Sequence, residues 1–215
     1  MKIVNPDLRP YLIAHATPAD ELLEELAAEN RRAYPRDVRM QITPDQGAFL
    51  ALLVRLTGAR TVVEVGTFTG YSAIWIARAL PEGGRLITCD MSEEWTAVAR
   101  RYWERAGVTD RIELRLGDAA RTLREMPHEE HVDLAFVDAD KVGYPVYYEE
   151  VLARLRPNGL MVLDNTLQRG LVVDASDTSS STLAIREIND AIAADKRVES
   201  VLLSVYDGLT VVRKR

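Results

Sequence analysis

The chain has 215 residues, 47% of them hydrophobic, which suffices for one well-buried α/β core and is short for two. A formal net charge of -6 gives no overall reason to expect a polyanionic partner. The single cysteine, Cys89, excludes an intramolecular disulfide, and no apolar run approaches the ~20 residues of a membrane span. The opening MKIVNPDLRPY lacks the basic-then-apolar pattern of a secretion signal, so a cytoplasmic protein with no membrane partner is expected.

One domain over 1–215 is expected, with a helical segment at 1–60 and an α/β core at 61–215. Leu22, Leu23, Leu26 and Ala27 sit at helix spacing in a stretch starting at Pro18, with Thr17 placed as its cap. Arg31, Arg32, Arg36 and Arg39 follow, as a solvated basic face or as a local nucleic-acid patch. Thr43-Pro44 puts a capping residue before a first-turn proline, and Phe49, Leu50, Leu53 and Val54 continue the helical period.

From Thr61 the pattern changes to short apolar runs separated by helical stretches, the mark of βαβ units and a parallel sheet. The runs are TVVEV at Thr61, RLITCD at Arg85, RIELRL at Arg111, VDLAFVD at Val132 and LMVLDN at Leu160. SAIWIARAL after Tyr71 reads as a helix, as does EEWTAVARRYWERAG after Ser92, closed near Gly107. At the end, Tyr206-Asp207-Gly208 separates VESVLLSV from LTVVRKR, and Asp-Gly between apolar runs signals a hairpin. The expected fold is an α/β, Rossmann-like, seven-stranded sheet, mostly parallel with an antiparallel C-terminal strand. Ligands then belong beyond the strands' carboxyl ends, where the strand order reverses.

The first run leads into Glu64-Val65-Gly66-Thr67-Phe68-Thr69-Gly70-Tyr71-Ser72, a tight glycine turn that opens a helix. Such a turn lets a ligand approach the backbone, and the helix start offers unpaired N–H groups. Its Gly66-x-x-x-Gly70 spacing departs from the G-x-G-x-x-G of dinucleotide sites, and an acid two residues earlier suits an ammonium better than a pyrophosphate. A zwitterionic amino acid fits, with Glu64 drawing the ammonium and the helix start at Ser72 the carboxylate. Asp90 ends the second strand where an acid can accept from two ribose hydroxyls, and Asp118-Ala119 follows the third where adenine would lie. Together these residues fit S-adenosylmethionine. Helix capping is the alternative for Asp90, although Ser92 is the better cap.

Strand four ends in Phe136-Val137-Asp138-Ala139-Asp140-Lys141 and strand five in Leu163-Asp164-Asn165. Neighbouring strands would bring Asp138, Asp164 and Asn165 to one edge beside the cofactor. An oxygen-only set favours a hard divalent cation: Mg²⁺ first, then Mn²⁺, then Ca²⁺. Capping of the helices that follow is the structural alternative. Lys141, three residues past Asp138, is the candidate general base, with a plain surface lysine as its alternative.

The chain resembles the cation-dependent O-methyltransferases of the caffeoyl-CoA type, which are related more distantly to catechol O-methyltransferase. The resemblance runs from Met40 to the C-terminus. It is carried by M-x-x-x-x-D-x-G-x-F-L at Met40, EVGTFTGYS at Glu64, FVDADK at Phe136, DNTL at Asp164, and INDAIAADKRVES running into YDGLTV. It implies a class I S-adenosylmethionine-dependent fold, metal ligands at Asp138, Asp164 and Asn165, and cofactor contacts at Glu64, Gly66, Thr67, Ser72, Asp90, Ala119 and the backbone near Ile42. Asp138 is expected to serve cofactor and catalysis as well as the metal, and a homodimer is expected. Two departures, Gln168 after DNTL and Val142-Gly143 after the lysine, fall near the acceptor and leave its identity open.

The expected reaction is methyl transfer to a hydroxyl of a small catechol-like or hydroxycinnamoyl-like acceptor. An RNA-modifying enzyme acting on a tRNA hydroxyuridine is the second reading, and requires the arginines from Arg31 to Arg39 to face the site. A non-catalytic cofactor-binding protein is the third. The polar stretch from Thr166 to Thr182 reads as a lid over the acceptor. Trp75, Trp95 and Trp103 read as packing residues, Trp95 also being near enough to the Asp90 turn to touch adenine. His15, His128 and His131 have no catalytic context, and Cys89 reads as a buried strand residue.

Overall fold

The computed structural model describes residues 6–215; the first five, which open the stretch weighed above as a leader, lie outside the described residues. Three helices come first: α1 (Arg9–Ala14), α2 (Glu21–Ala33) and α3 (Pro44–Thr57). The start of α2 corrects the sequence reading. Its cap is Asp20, whose Oδ1 accepts the Leu23 N–H at 3.1 Å, so the helix begins at Glu21 and Thr17 plays no part. At α3 the expected Thr43-Pro44 start holds, and the Thr43 N–H donates to Gln46 Oε1 at 3.0 Å, one arm of a capping box.

The core then alternates: β1 (Thr61–Val65), α4 (Tyr71–Ala79), β2 (Arg85–Asp90), α5 (Glu93–Arg105), β3 (Ile112–Leu116), α6 (Ala119–Glu125), β4 (Val132–Val137), α7 (Tyr144–Arg154), β5 (Leu155–Asp164) and α8 (Ser180–Ala194). It closes on β6 (Val198–Leu203) and β7 (Leu209–Lys214). The strand order is β3-β2-β1-β4-β5-β7-β6, with β7 antiparallel to both of its neighbours and the other pairs parallel. This is the expected seven-stranded, Rossmann-like sheet with its reversed strand, and the order reverses between β1 and β4. One boundary differs. β5 begins at Leu155, not Leu160, because Pro157-Asn158-Gly159, which reads as a turn, forms an irregularity within the strand where pairing jumps from Val132↔Leu155 to Leu134↔Leu160.

Strand alternation sorts the side chains onto two faces. Val62, Leu86, Leu134, Phe136 and Val162 pack under α2 to α5, while Val63, Ile87, Ala135, Val137, Met161 and Leu163 pack against α6 to α8. By the same parity Glu64 shares the face of Val62, and Asp164 shares that of Val162. Both acids are therefore turned toward α3 and α4 and are buried, with relative exposures of 0% and 2%. No helix among the described residues is long and apolar enough to cross a membrane.

Candidate active site

Beyond the carboxyl ends of β1 to β5 lies a cavity of about 630 Å³. The glycine turn forms one wall. Gly66 takes φ +97°, and a Cβ there would collide with the Asp138 carbonyl, so only glycine lets the end of β1 close against the end of β4. The Gly66 N–H donates to Cys89 O at 3.0 Å and the Asp138 N–H to Val65 O at 2.8 Å, fixing three strand ends together.

Asp90 holds this turn from the neighbouring strand. Its Oδ2 accepts the N–H groups of Thr67 (2.9 Å) and Phe68 (2.8 Å), and its Oδ1 accepts that of Ser92 (2.8 Å). Oδ2 is thereby filled, while Oδ1 keeps a further lone pair for a ligand. Beneath the turn, the Thr67 and Thr88 hydroxyls lie 2.5 Å apart, and Thr88 donates to Glu64 Oε2 at 2.6 Å. Glu64 Oε1 accepts no hydrogen bond of good geometry among the described residues. Burial pushes the Glu64 carboxyl up to about 7, with the Ser72 and Thr88 hydroxyls pulling the other way.

The opposite wall carries the acids of β4 and β5. Asp164 Oδ2 accepts Gln46 Nε2 at 2.9 Å and its Oδ1 accepts the Asn165 N–H at 2.6 Å. Asn165 itself sits in the left-handed region at φ 57°. Burial, then the nearby Asp138 charge, hold the Asp164 carboxyl well above the usual range; Lys141 opposes them. Lys141 Nζ donates to Asp138 Oδ1 at 3.0 Å and to the Tyr144 hydroxyl at 2.7 Å. That hydroxyl lies 3.1 Å from Val137 O and 2.9 Å from Asp164 O, so Tyr144 ties the ends of β4 and β5 to the lysine.

This donor set fits a hard divalent cation. Asp138, close enough to raise the proton affinity of Asp164, leaves a deficit of positive charge, and Asp164 has only two hydrogen-bond donors for a buried carboxylate. No group of three His, Cys, Asp or Glu side chains suited to a metal occurs among the described residues. The third donor on this edge is the Asn165 amide, which lines the same cavity.

Of the residues singled out in the sequence, Ile42, Gly66, Thr67, Ser72, Asp90, Ala119, Asp138, Lys141, Asp164 and Asn165 all line the cavity. Two do not. Glu64 lies under the turn, and Asp118 is exposed, its Oδ1 capping α6 by accepting the Arg121 N–H at 2.7 Å. Trp95 does line it, with its ring 5.2 Å from that of Phe68, whereas Trp75 and Trp103 pack in the core as expected. Cys89 is a buried thiol pushed up to about 12 by burial. His15 bonds the Tyr11 carbonyl and stacks on the Tyr11 ring, and His131 bonds the Glu129 carbonyl, all local contacts. Of the arginine cluster, Arg36 and Arg39 line the cavity while Arg31 and Arg32 do not. Sequence reading missed Gln46, Phe68, Tyr144 and Tyr147. The capping spacing from Thr43 was the available signal for Gln46, and Lys141-x-x-Tyr144 for the tyrosine.

The profile of the O-methyltransferase family matches residues 14–215. The chain belongs to this family. A "Probable caffeoyl-CoA O-methyltransferase 2" of Dictyostelium discoideum is 36% identical over 214 residues, covering 98% of this chain and 92% of the relative. A "Catechol O-methyltransferase" of Niastella koreensis is 37% identical, covering 86% and 87%. Among solved structures, an O-methyltransferase from Bacillus cereus in complex with SAH aligns with a TM-score of 0.88 at 35% identity, covering 97% of each chain. TomG from Streptomyces achromogenes, in complex with SAM, aligns at 0.87 and 32%, covering 97% and 96%. The sheet of this O-methyltransferase is thus that of the class I S-adenosylmethionine-dependent enzymes.

Two features singled out in the sequence of the methyltransferase have a structural account. The Thr166 to Thr182 segment is tied down and not a free lid. Arg186 of α8 donates to the carbonyls of Leu171 (2.8 Å), Val172 (2.9 Å) and Asp177 (3.0 Å), and to that of Asp174. Asn189 Nδ2 holds Thr166 O at 2.8 Å. The Val142-Gly143 departure has a packing reason. Any side chain on Gly143 would collide with the Tyr147 ring, whose hydroxyl donates to Asp140 Oδ1 at 2.6 Å.

Proposed function

We propose that this O-methyltransferase uses S-adenosylmethionine and a divalent cation, Mg²⁺ by preference, to methylate one hydroxyl of a small catechol-type acceptor. The observation that supports this most is that Asp138, Asp164, Asn165 and Lys141 share one cavity with the glycine turn and Asp90. Asp90 would take the ribose, Ser72 and the start of α4 the amino-acid carboxylate, and Ala119 with Trp95 the adenine end. Glu64 would act from beneath the turn, offering its charge to the ammonium through the Thr88 and Ser72 hydroxyls rather than by touching it.

Asp138, Asp164 and Asn165 would hold the cation, which as a Lewis acid favours the ionised form of a bound hydroxyl. A catechol offers two adjacent oxygens, so such a site orients it and selects it over a monophenol. Lys141 Nζ is the atom assigned to take the acceptor proton. Asp138 and Tyr144 hold that nitrogen at the cavity wall, which limits its freedom before reaction. As the acceptor oxygen bonds to the methyl carbon, the sulfonium carbon–sulfur bond breaks and its electron pair stays on sulfur. Opposite charges vanish together, so a dry cavity need stabilise no new ion.

The RNA reading gains from Arg36 and Arg39 facing the cavity and loses from Arg31 and Arg32 facing elsewhere. Incubation with labelled S-adenosylmethionine, with and without chelator, against a catechol panel and against total tRNA tests the proposal. Chelator-sensitive label in catechols is expected; label in tRNA alone would overturn it.

A further inference from the structure

We infer that the acceptor carries an anionic group, a carboxylate on a single catechol ring, which Arg36, Arg39 and Arg169 recognise. The inference rests on the catechol reading and extends it. The three arginines come from two separate elements, the α2–α3 connection and the segment after β5, and converge on one cavity. Neither Arg36 nor Arg39 makes a side-chain hydrogen bond or salt bridge among the described residues, and Arg169 has only the charge of the nearby Asp207 carboxylate.

Arg169 is also placed at a conformational cost. Gln168, Arg169 and Gly170 have φ of 46°, 55° and 86°, and two of these are not glycine. Such backbone persists only where its surroundings enforce it. Here the Asp207 carboxylate accepts the Arg169 N–H, fixing the residue where its side chain lines the cavity. Tyr206, next in sequence to Asp207 and also in the lining, carries the Arg9 guanidinium 4.5 Å above its ring, adding a fourth cation to this end of the molecule.

Volume limits the rest of the acceptor. A cavity of about 630 Å³ has to admit donor and acceptor together, which leaves room for one ring and a short side chain.

The test compares kcat/KM for 3,4-dihydroxybenzoate with that for its neutral isostere 3,4-dihydroxybenzamide, using the intact enzyme with Mg²⁺, across ionic strength and in Arg39→Gln and Arg169→Gln. A preference of at least tenfold for the acid is expected, carried by KM. It should shrink with added salt, because exposed cations are screened, and fall toward parity in the Arg39→Gln/Arg169→Gln double variant. Equal values for acid and amide in the wild type would overturn the inference and leave the catechol reading standing. So would an acid preference that the double variant retains. Turnover of neither compound, with methylation of RNA instead, would overturn both.

Discussion

Gln46 and Asp164, 118 residues apart in sequence, meet in a buried hydrogen bond of 2.9 Å from Nε2 to Oδ2. The same amide accepts the Thr43 N–H through Oε1, so one side chain both closes the start of α3 and orients a candidate cation ligand. Gln46→Leu should lower stability by about 1–3 kcal/mol, since it leaves buried polar groups unpaired, and thermal denaturation would show it. Outer-shell partners of metal ligands typically govern affinity by about 10–100-fold, and Mg²⁺ titration of the variant should reveal a loss in that range. A variant with unaltered Mg²⁺ affinity would make Gln46 a helix cap only.

Chelation should abolish transfer, and Mg²⁺ or Mn²⁺ should restore it. Asp164→Ala should lose catechol turnover while binding S-adenosylmethionine as the wild type does, because the proposed cofactor contacts lie mainly at the ends of β1 to β3. Calorimetry with the cofactor separates the two effects. Full activity after exhaustive chelation would refute the cation site.

Lys141→Ala should reduce kcat by about 10²–10⁴, the range of general-base catalysis, with cofactor affinity preserved. Lys141→Arg should not rescue it, because a guanidinium stays protonated. Tyr144→Phe removes one of the two groups that hold Lys141 Nζ and should give a smaller loss in kcat with KM unmoved. Equal KM and kcat effects would instead mark Tyr144 as a general packing residue.

Glu64 makes the ligand-free protein sensitive to pH. Its folded pKa of about 7 exceeds the ordinary 4.5, so between these values the folded chain holds a proton that the unfolded chain has lost. The contribution of Glu64 to stability is therefore greatest below pH 4.5 and declines as pH rises to 7. An ammonium-bearing cofactor favours the ionised carboxylate, so cofactor affinity should increase over that window. Glu64→Gln should flatten both profiles, and thermal shift with and without S-adenosylmethionine across pH 5 to 8 is the measurement. Parallel profiles in wild type and variant would remove Glu64 from cofactor binding.

What was legible in the sequence was what depends on local pattern. The short apolar runs TVVEV and VDLAFVD placed the strands, and Asp207-Gly208 gave the hairpin, because run length and turn chemistry act within a few residues. Strand ends likewise announced Asp90, Asp138 and Asp164. The partners of those acids were not legible. Gln46, Tyr144 and Phe68 reach them across turns or long stretches of chain, and nothing near Gln46 says which carboxylate it will meet. Thr17 and Leu160 were boundary errors of a different kind: Asp20 is a competing cap nearby, and Pro157-Asn158-Gly159 mimics a turn inside a strand. Asp118 was assigned to adenine by position; its Oδ1 also caps its own helix, which the sequence reading did not anticipate.

The Arg186 clamp separates two things that loops usually combine. It grips four main-chain carbonyls, and carbonyls are the same whatever residue bears them. An exposed side chain in this stretch, such as Val173, is thus free to change without loss of the loop's path. Substitution at such exposed positions should cost little stability, because the clamp would still find the same carbonyls.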